Sequence, residues 1–305
     1  MPRVLIVGSA NVDFTVALAR LPRPGETVTD GTLLVARGGK GANQAVAARR
    51  LGADVRLLAC VGDDASGREI RQALADEGIG VGAVRATGEA ATGTALIVVD
   101  AEGRNQIAVA PGANRALGVG DVEQRDADFA WAEIVVCSLE VPVATARRAL
   151  QCARRHGALT ILNPAPRPER GLDFLDLADY VTPNEVEAAD LSGLPVGDLD
   201  AAARAAEALR ARGARHAVLT LGAAGTLACG PDGRVHVPAF TLTVVDTTGA
   251  GDAFNGALAV ALAERRGMAE ALRFACAAAG LACTRRGAQP SLPTRGDVER
   301  LIAGR

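Results

Sequence analysis

The sequence predicts an α/β fold: a mostly parallel central sheet with helices on both faces, plus a small β-sheet lid. Three observations predict it. Short apolar runs alternate with amphipathic, helix-like runs, the pattern of βαβ units. Two β-rich stretches without helical signal, 14–37 and 92–110, interrupt that alternation. The 305 residues are 49% apolar and 22% charged, enough to bury a core on both sides of a sheet.

In chain order, the predicted strands are Val4–Val7, Val55–Cys60, Ile134–Cys137, Leu159–Leu162, Tyr180–Thr182 and Ala217–Leu221. Each is short and nearly continuously apolar, as strands covered on both faces are. The predicted helices are Ala42–Leu51, Gly67–Glu77, Ala144–His156, Glu185–Leu191, Ala201–Arg212, Ala253–Ala263 and Ala269–Thr284. In the first interruption, Phe14–Ala19 and Thr27–Ala36 are β-rich around Pro22, Pro24 and Gly25. In the second, Thr94–Val99 and Gln106–Ala110 flank a turn at Ala101-Glu102-Gly103, a hairpin signal. We read the two as one projecting sheet; two separate hairpins packed on the core is the alternative. The division is then a core of 1–13, 38–91 and 111–305 with a lid of 14–37 and 92–110. A further hairpin is predicted at Thr226–Pro238, and a short strand at Leu242–Val245.

The formal net charge is −2, and no long basic run appears, so nucleic acid is not an expected partner. Six scattered cysteines, none in a CxxC pair, read as buried free thiols rather than a disulfide framework or zinc site. The stretch Ala269–Cys283 is short and carries Glu270 and Arg273, so it reads as a core helix and not a membrane span. No signal peptide is seen, and a cytoplasmic protein is expected.

Chemistry concentrates in a few motifs. Asp246-Thr247-Thr248-Gly249-Ala250-Gly251-Asp252 sits where the predicted strand turns into a helix N-terminus. First-turn N–H groups lack intrahelical partners, and glycines let the backbone approach an anion. Gly249, Ala250 and Gly251 therefore form a candidate anion hole. A carboxylate beside it, Asp252, makes sense as a base taking a proton from a nucleophile while the N–H groups hold developing charge. The alternative is an aspartate that caps the helix. Arg37-Gly38-Gly39-Lys40-Gly41-Ala42-Asn43-Gln44 opens the first long helix as a polar cup in which Asn43 suits a sugar hydroxyl. It lacks the spacing and the Ser/Thr of a P-loop. Asn11 and Asp13 follow the first strand, and Glu140 follows Ile134–Cys137, at the strand ends where α/β sheets bind ligands. Gly8-Ser9-Ala10-Asn11 lacks a dinucleotide glycine fingerprint, which counts against a dehydrogenase. Asn184 and Glu187 share one helix face, suited to hydrated Mg²⁺ and phosphates, or to capping. Thr220, Gly222 and Gly225 close another strand with small residues, suited to a passing nucleotide. The three histidines lie outside these motifs.

GGKGAN near residue 40, NxxE at 184–187 and DTTGAGD at 246–252, in this order and spacing, resemble the ribokinase-type (PfkB) carbohydrate kinases. The resemblance runs from Val4 to about Pro293. Segments 24–28, 39–45 and 287–291 are similar to the ribokinase branch in particular. It implies ATP-dependent phosphorylation of the 5-hydroxyl of D-ribose, with 2-deoxyribose or a nucleoside as the alternative acceptor. A non-catalytic sugar sensor on the same fold is opposed by the presence of both the base and the glycine hole. The resemblance assigns Asp252 as base and Gly249, Ala250 and Gly251 as anion hole. Asn11, Asp13, Gly39, Lys40, Asn43 and Glu140 fall on the sugar side. Asn184, Thr220, Gly222, Gly225 and Gly251 face the nucleotide, Glu187 organises Mg²⁺, and Cys276 stands where a histidine or asparagine often lines the adenine pocket. It also implies a K⁺ site at Asp246, Thr248, Ala282, Arg285, Gly287 and Ser291, several through carbonyls, and a homodimer joined through the lid.

Overall fold

The computed structural model describes residues 1–167 and 172–304. Its elements run β1 (Arg3–Val7), β2 (Asn11–Ala17), β3 (Thr32–Gly38), α1 (Lys40–Arg50), β4 (Asp54–Gly62), α2 (Ala65–Asp76), β5 (Val84–Thr87), β6 (Gly93–Val99) and β7 (Asn105–Ala110). Then come α3 (Val119–Glu123), α4 (Asp126–Trp131), β8 (Ile134–Ser138), α5 (Val143–Arg155), β9 (Leu159–Asn163), β10 (Tyr180–Val181), α6 (Glu185–Ser192) and α7 (Leu199–Ala211). The chain continues with β11 (His216–Thr220), β12 (Thr226–Gly230), β13 (Gly233–Val237), α8 (Ala250–Ala263), α9 (Met268–Ala282) and α10 (Arg295–Ile302).

Alternate residues of β1 enter opposite cores. Val4 and Ile6 pack with residues of α1, α2, α8 and α9, while Leu5 and Val7 pack with residues of α5 and α7. All four are fully buried, which is why the strand reads as a continuous apolar run rather than an alternation. The main sheet has nine strands in the order β13-β12-β11-β10-β9-β8-β1-β4-β5. Pairing is parallel from β5 to β11 and antiparallel in the β11-β12-β13 end, where the hairpin predicted around Pro231-Asp232-Gly233 lies.

The two helix-free interruptions join in one small sheet of order β3-β2-β6-β7, with β2 parallel to β6. Register places Val35, Phe14 and Leu96 in one cross-strand row and Ala36, Asp13 and Ala95 in the next, on the opposite face. Ile107 falls on the Asp13 side, because it pairs with Ile97 and through it Thr15.

One predicted element is absent. Leu242–Val245 is not a strand; Val244 and Val245 are exposed, and the segment runs free of the sheet. The N–H groups of Val245 and Asp246 both donate to the Cys283 carbonyl just past α9, at 2.8 and 3.2 Å, so the run has β-prone residues without a strand partner. Strand β5 and helices α3, α4 and α10 were not expected; they are short and fall where hydrophobic periodicity has too few residues to register.

Candidate active site

The site lies where α1 and α8 begin, beyond the C-terminal ends of β1, β8, β9 and β10. Backbone packing explains the α1 glycines. Gly39 precedes the helix at φ 88°, and a Cβ there would meet Ala10 Cα at 2.8 Å. A Cβ on Gly41 would come within 2.6 Å of the Gly8 carbonyl carbon. The start of α1 is thus seated directly on the β1–β2 connection, and this carries Lys40 and Asn43 into the site.

At α8, Gly249 is the N-cap residue in the left-handed region at φ 79°. The Ala250 N–H donates to Thr247 O at 3.2 Å. Gly251 is exposed, with open space where a Cβ would stand. Asp252, only 6% exposed, does not cap the helix. Its carboxylate accepts from Asn43 Nδ2 at 2.9 Å and from Gln44 Nε2 at 3.2 Å. Burial raises its carboxyl above the usual range; Lys40, Asn43 and Gln44 pull it back, and Glu140 adds to the rise. Asn43 Oδ1 is buried without a partner among the described residues, an acceptor that a hydroxyl would satisfy.

Glu140 Oε2 accepts from the Lys40 backbone N–H at 3.0 Å and from Ser9 Oγ. Burial acts to lower the Lys40 ammonium, but Asp252, Glu140 and Glu187 together hold it above the ordinary lysine value. Lys40 is the one lysine in the sequence, so every other fixed side-chain cation is a planar guanidinium and this site alone has a compact ammonium. Asp13 sits over Gly38, where a Cβ would collide with its carboxylate at 2.0 Å. Burial, then Glu140 and Asp252, raise the Asp13 carboxyl to about 6. Asn11 Oδ1 accepts from Asn114 Nδ2 at 2.6 Å, which fixes that side chain at the root of the small sheet.

Asn184 and Glu187 take the capping arrangement and also face a cavity. They form a capping box on α6: Glu187 N–H donates to Asn184 Oδ1 at 2.8 Å and Asn184 N–H to Glu187 Oε2 at 2.9 Å. They also line, with Lys40, Thr220, Gly251 and Asp252, one cavity of about 70 Å³. Burial raises the Glu187 carboxyl against the Asn184 N–H and the Lys40 ammonium. Gly222 is exposed at φ 50°, whereas Gly225 is enclosed: a Cβ there would lie 2.1 Å from Val237 O. Packing against β13 therefore accounts for Gly225. Cys276 is buried in the core on α9, its thiol pushed up to about 12 by burial.

Asp246 ties two turns together. Its carboxylate accepts from Thr248 N–H and Oγ1 at 2.9 and 2.7 Å and from Gly287 N–H at 2.8 Å. Burial opposes ionisation, but the bonds from Gly287 and Thr248 prevail and hold the carboxyl below its usual range. Ala282 is fully buried, and Ser291 Oγ donates to Ala288 O at 2.8 Å. A larger cavity of about 210 Å³, lined in part by Arg285, Ser291 and Arg300, shares no lining residue with the one at Asp252 and contains none of the catalytic candidates.

Sequence reasoning gave no role to Gln44, Asn163, Thr182 or Asn255, which are buried and hydrogen-bonded around Asp252. The available signal was polarity out of place: Asn255 interrupts the apolar α8 run, and Asn163 ends an apolar strand.

The sequence profile of pfkB family carbohydrate kinases matches residues 1–295. The chain belongs to this family. It is a sugar kinase of the pfkB type, phosphorylating an alcohol group. A ribokinase of Haemophilus influenzae is 39% identical over 95% of both chains. A deoxyribokinase of Salmonella typhi is 35% identical, again over 95% of both. The Arabidopsis thaliana ribokinase solved with ribose and ATP superimposes with a TM-score of 0.88 at 32% identity, covering 99% of this chain and 98% of that one.

Proposed function

We propose that this pfkB-type kinase transfers the γ-phosphate of ATP to the 5-hydroxyl of D-ribose, giving ribose 5-phosphate. The observation that carries the reading is Asp252: a buried carboxylate held by two amide donors, one residue from the open Gly251 at the start of α8. The sugar hydroxyl donates to Asp252 and its oxygen attacks the γ-phosphorus. The new O–P bond forms as the bond to the β-phosphate oxygen breaks, and the proton passes to Asp252. The α8 N-terminus and the Lys40 ammonium offset charge on the transferring group. Asn11, Asp13, Gly39, Asn43 and Glu140 hold the other hydroxyls, and Asn184, Thr220 and Gly222 face the nucleotide. The ribokinase relatives favour ribose; the deoxyribokinase relative keeps 2-deoxyribose as the second reading.

Glu187 and Asn184 fit Mg²⁺, since the buried Glu187 carboxylate is held above its usual range and a cation would relieve it; bound there, Mg²⁺ supplies positive charge to the phosphates. Asp246, with carbonyls of the 282–291 turn, fits K⁺ as a donor set of hard oxygens. The small sheet acts as a lid and dimer contact, and the enzyme works in the cytoplasm, where ATP is supplied.

ADP release measured against ribose, 2-deoxyribose, fructose and adenosine tests the assignment. Ribose is expected to give the highest kcat/KM, and Asp252→Asn to lose turnover by roughly 10² or more with sugar binding retained. Near-normal turnover in Asp252→Asn would overturn the base assignment, and a preference for 2-deoxyribose would replace the acceptor.

A further inference from the structure

A ring of hydrogen bonds leaves the Asp252 side chain, crosses three other segments and returns to the backbone one residue before it. Gln44 Nε2 on α1 donates to Asp252 Oδ1 at 3.2 Å and to Asn163 Oδ1, at the end of β9, at 3.1 Å. Asn163 Nδ2 donates to the Thr182 carbonyl at 3.1 Å. Thr182 Oγ1 donates to Asn255 Oδ1 at 2.6 Å, and Asn255 Nδ2 donates to the Gly251 carbonyl at 2.8 Å. All the side chains in the ring are buried.

The direction of this ring is set by its two backbone carbonyls, which only accept. Asn255 must turn its NH₂ to Gly251 O, which leaves its oxygen for the Thr182 hydroxyl. Asn163 must turn its NH₂ to Thr182 O, which leaves its oxygen for the NH₂ of Gln44. Gln44 consequently meets Asp252 with an N–H. A reversed Gln44 would set its oxygen against both Asn163 Oδ1 and the carboxylate, acceptor facing acceptor, in a buried site. The ring thus selects the amide orientation that favours the ionised form of Asp252.

We propose that Gln44, oriented by Asn163 and through it by the Thr182 carbonyl, is a positioning residue that keeps Asp252 an aimed carboxylate able to accept the substrate proton. This rests on Asp252 being the base. A purely structural network would fasten α8 to the sheet without affecting how Asp252 titrates.

The test is the pH profile of kcat/KM for the sugar in Gln44→Met, Gln44→Glu and Asn163→Leu, with melting temperatures and ATP KM measured alongside. Lys40 on α1, Glu140 beyond β8, Asp13 on β2 and Glu187 on α6 are the other charged groups around the site, and all stay unchanged in these variants. In Gln44→Met the acid limb is expected to move up by roughly one pH unit, because a donor to the charged form is gone. In Gln44→Glu it should move further, since a second carboxylate faces the first. Asn163→Leu touches nothing on Asp252 yet removes the acceptor that orients Gln44 and frees its amide to turn, so a smaller upward shift is expected with ATP KM unchanged. It carries the same test should the Gln44 variants not fold. Acid limbs at the wild-type position, with rates falling only as far as melting temperatures do, would overturn the proposal. Failure of the base assignment shows itself separately, as near-normal turnover in Asp252→Asn.

Discussion

Burial and the nearby charges of Glu140 and Asp252 raise the Asp13 carboxyl to about 6, against an unperturbed 3.8. The native state therefore keeps a proton that the unfolded chain has already released between these values. Stability falls as pH rises through that window, and above it the ionised Asp13 is a standing cost. Sugar binding gains from the same ionised group, because a charge-assisted hydrogen bond contributes about 1.5–3 kcal/mol. Asp13→Asn is thus expected to melt higher than wild type at pH 7.5, to lose that advantage at pH 4, and to raise the sugar KM by about ten- to a hundredfold. Calorimetry at the two pH values with sugar-saturation kinetics checks it; equal melting temperatures at pH 7.5 would show that Asp13 is not strained in the free protein. Asp13, Asn43 and Asp252 were legible in the sequence because each sits in a local motif at an element boundary. Gln44, Asn163, Thr182 and Asn255 were not assigned, since their partners are set by the crossing of α1, β9, the end of β10 and α8, which no spacing along the chain encodes.

Among the elements, the alternating strands and helices of the main sheet were legible because burial on both faces leaves each strand a solid apolar run. The start of α1 lies two residues earlier than periodicity indicates and that of α8 three, since glycines rather than apolar residues occupy their first turns. Leu242–Val245 shows the opposite limit: β-propensity reports a side chain that fits a pleated surface, and here no strand lies alongside. That segment is instead hung on the Cys283 carbonyl and clamped by Asp246 to Gly287 N–H. The clamp joins the turn before α8 to the turn after α9, so a cation held there would order the candidate anion hole. Turnover is expected to rise with K⁺ and to be weaker in Na⁺, and Asp246→Ala should abolish the difference. Equal wild-type rates in the two salts would remove the cation site from this loop.

At the scale of the whole molecule, the small sheet exposes apolar side chains to solvent. Large exposed apolar residues of the small sheet divide between its faces: Leu33, Val35 and Leu96 on one, Leu34, Ile107 and Val109 on the other. A four-stranded sheet has little core of its own. The face carrying Asp13 is available to close over the sugar, which would exclude water from the site. On the opposite face Phe14 packs against the main core, while Leu33, Val35 and Leu96 stay exposed. A second copy, related by a two-fold axis, would bury Leu33, Val35 and Leu96 against themselves and shelter the sheet edges. The wild-type chain is therefore expected to be a dimer by light scattering at micromolar concentration. Val35→Glu and Leu96→Glu, which flank Phe14 in one cross-strand row, should each weaken it, whereas Leu34→Glu, on the Asp13 face, should leave it intact and raise the sugar KM. A wild-type monomer would refute the dimer. Sugar-free ATP hydrolysis should increase when the sheet is disrupted; an unchanged rate would show that it does not gate water.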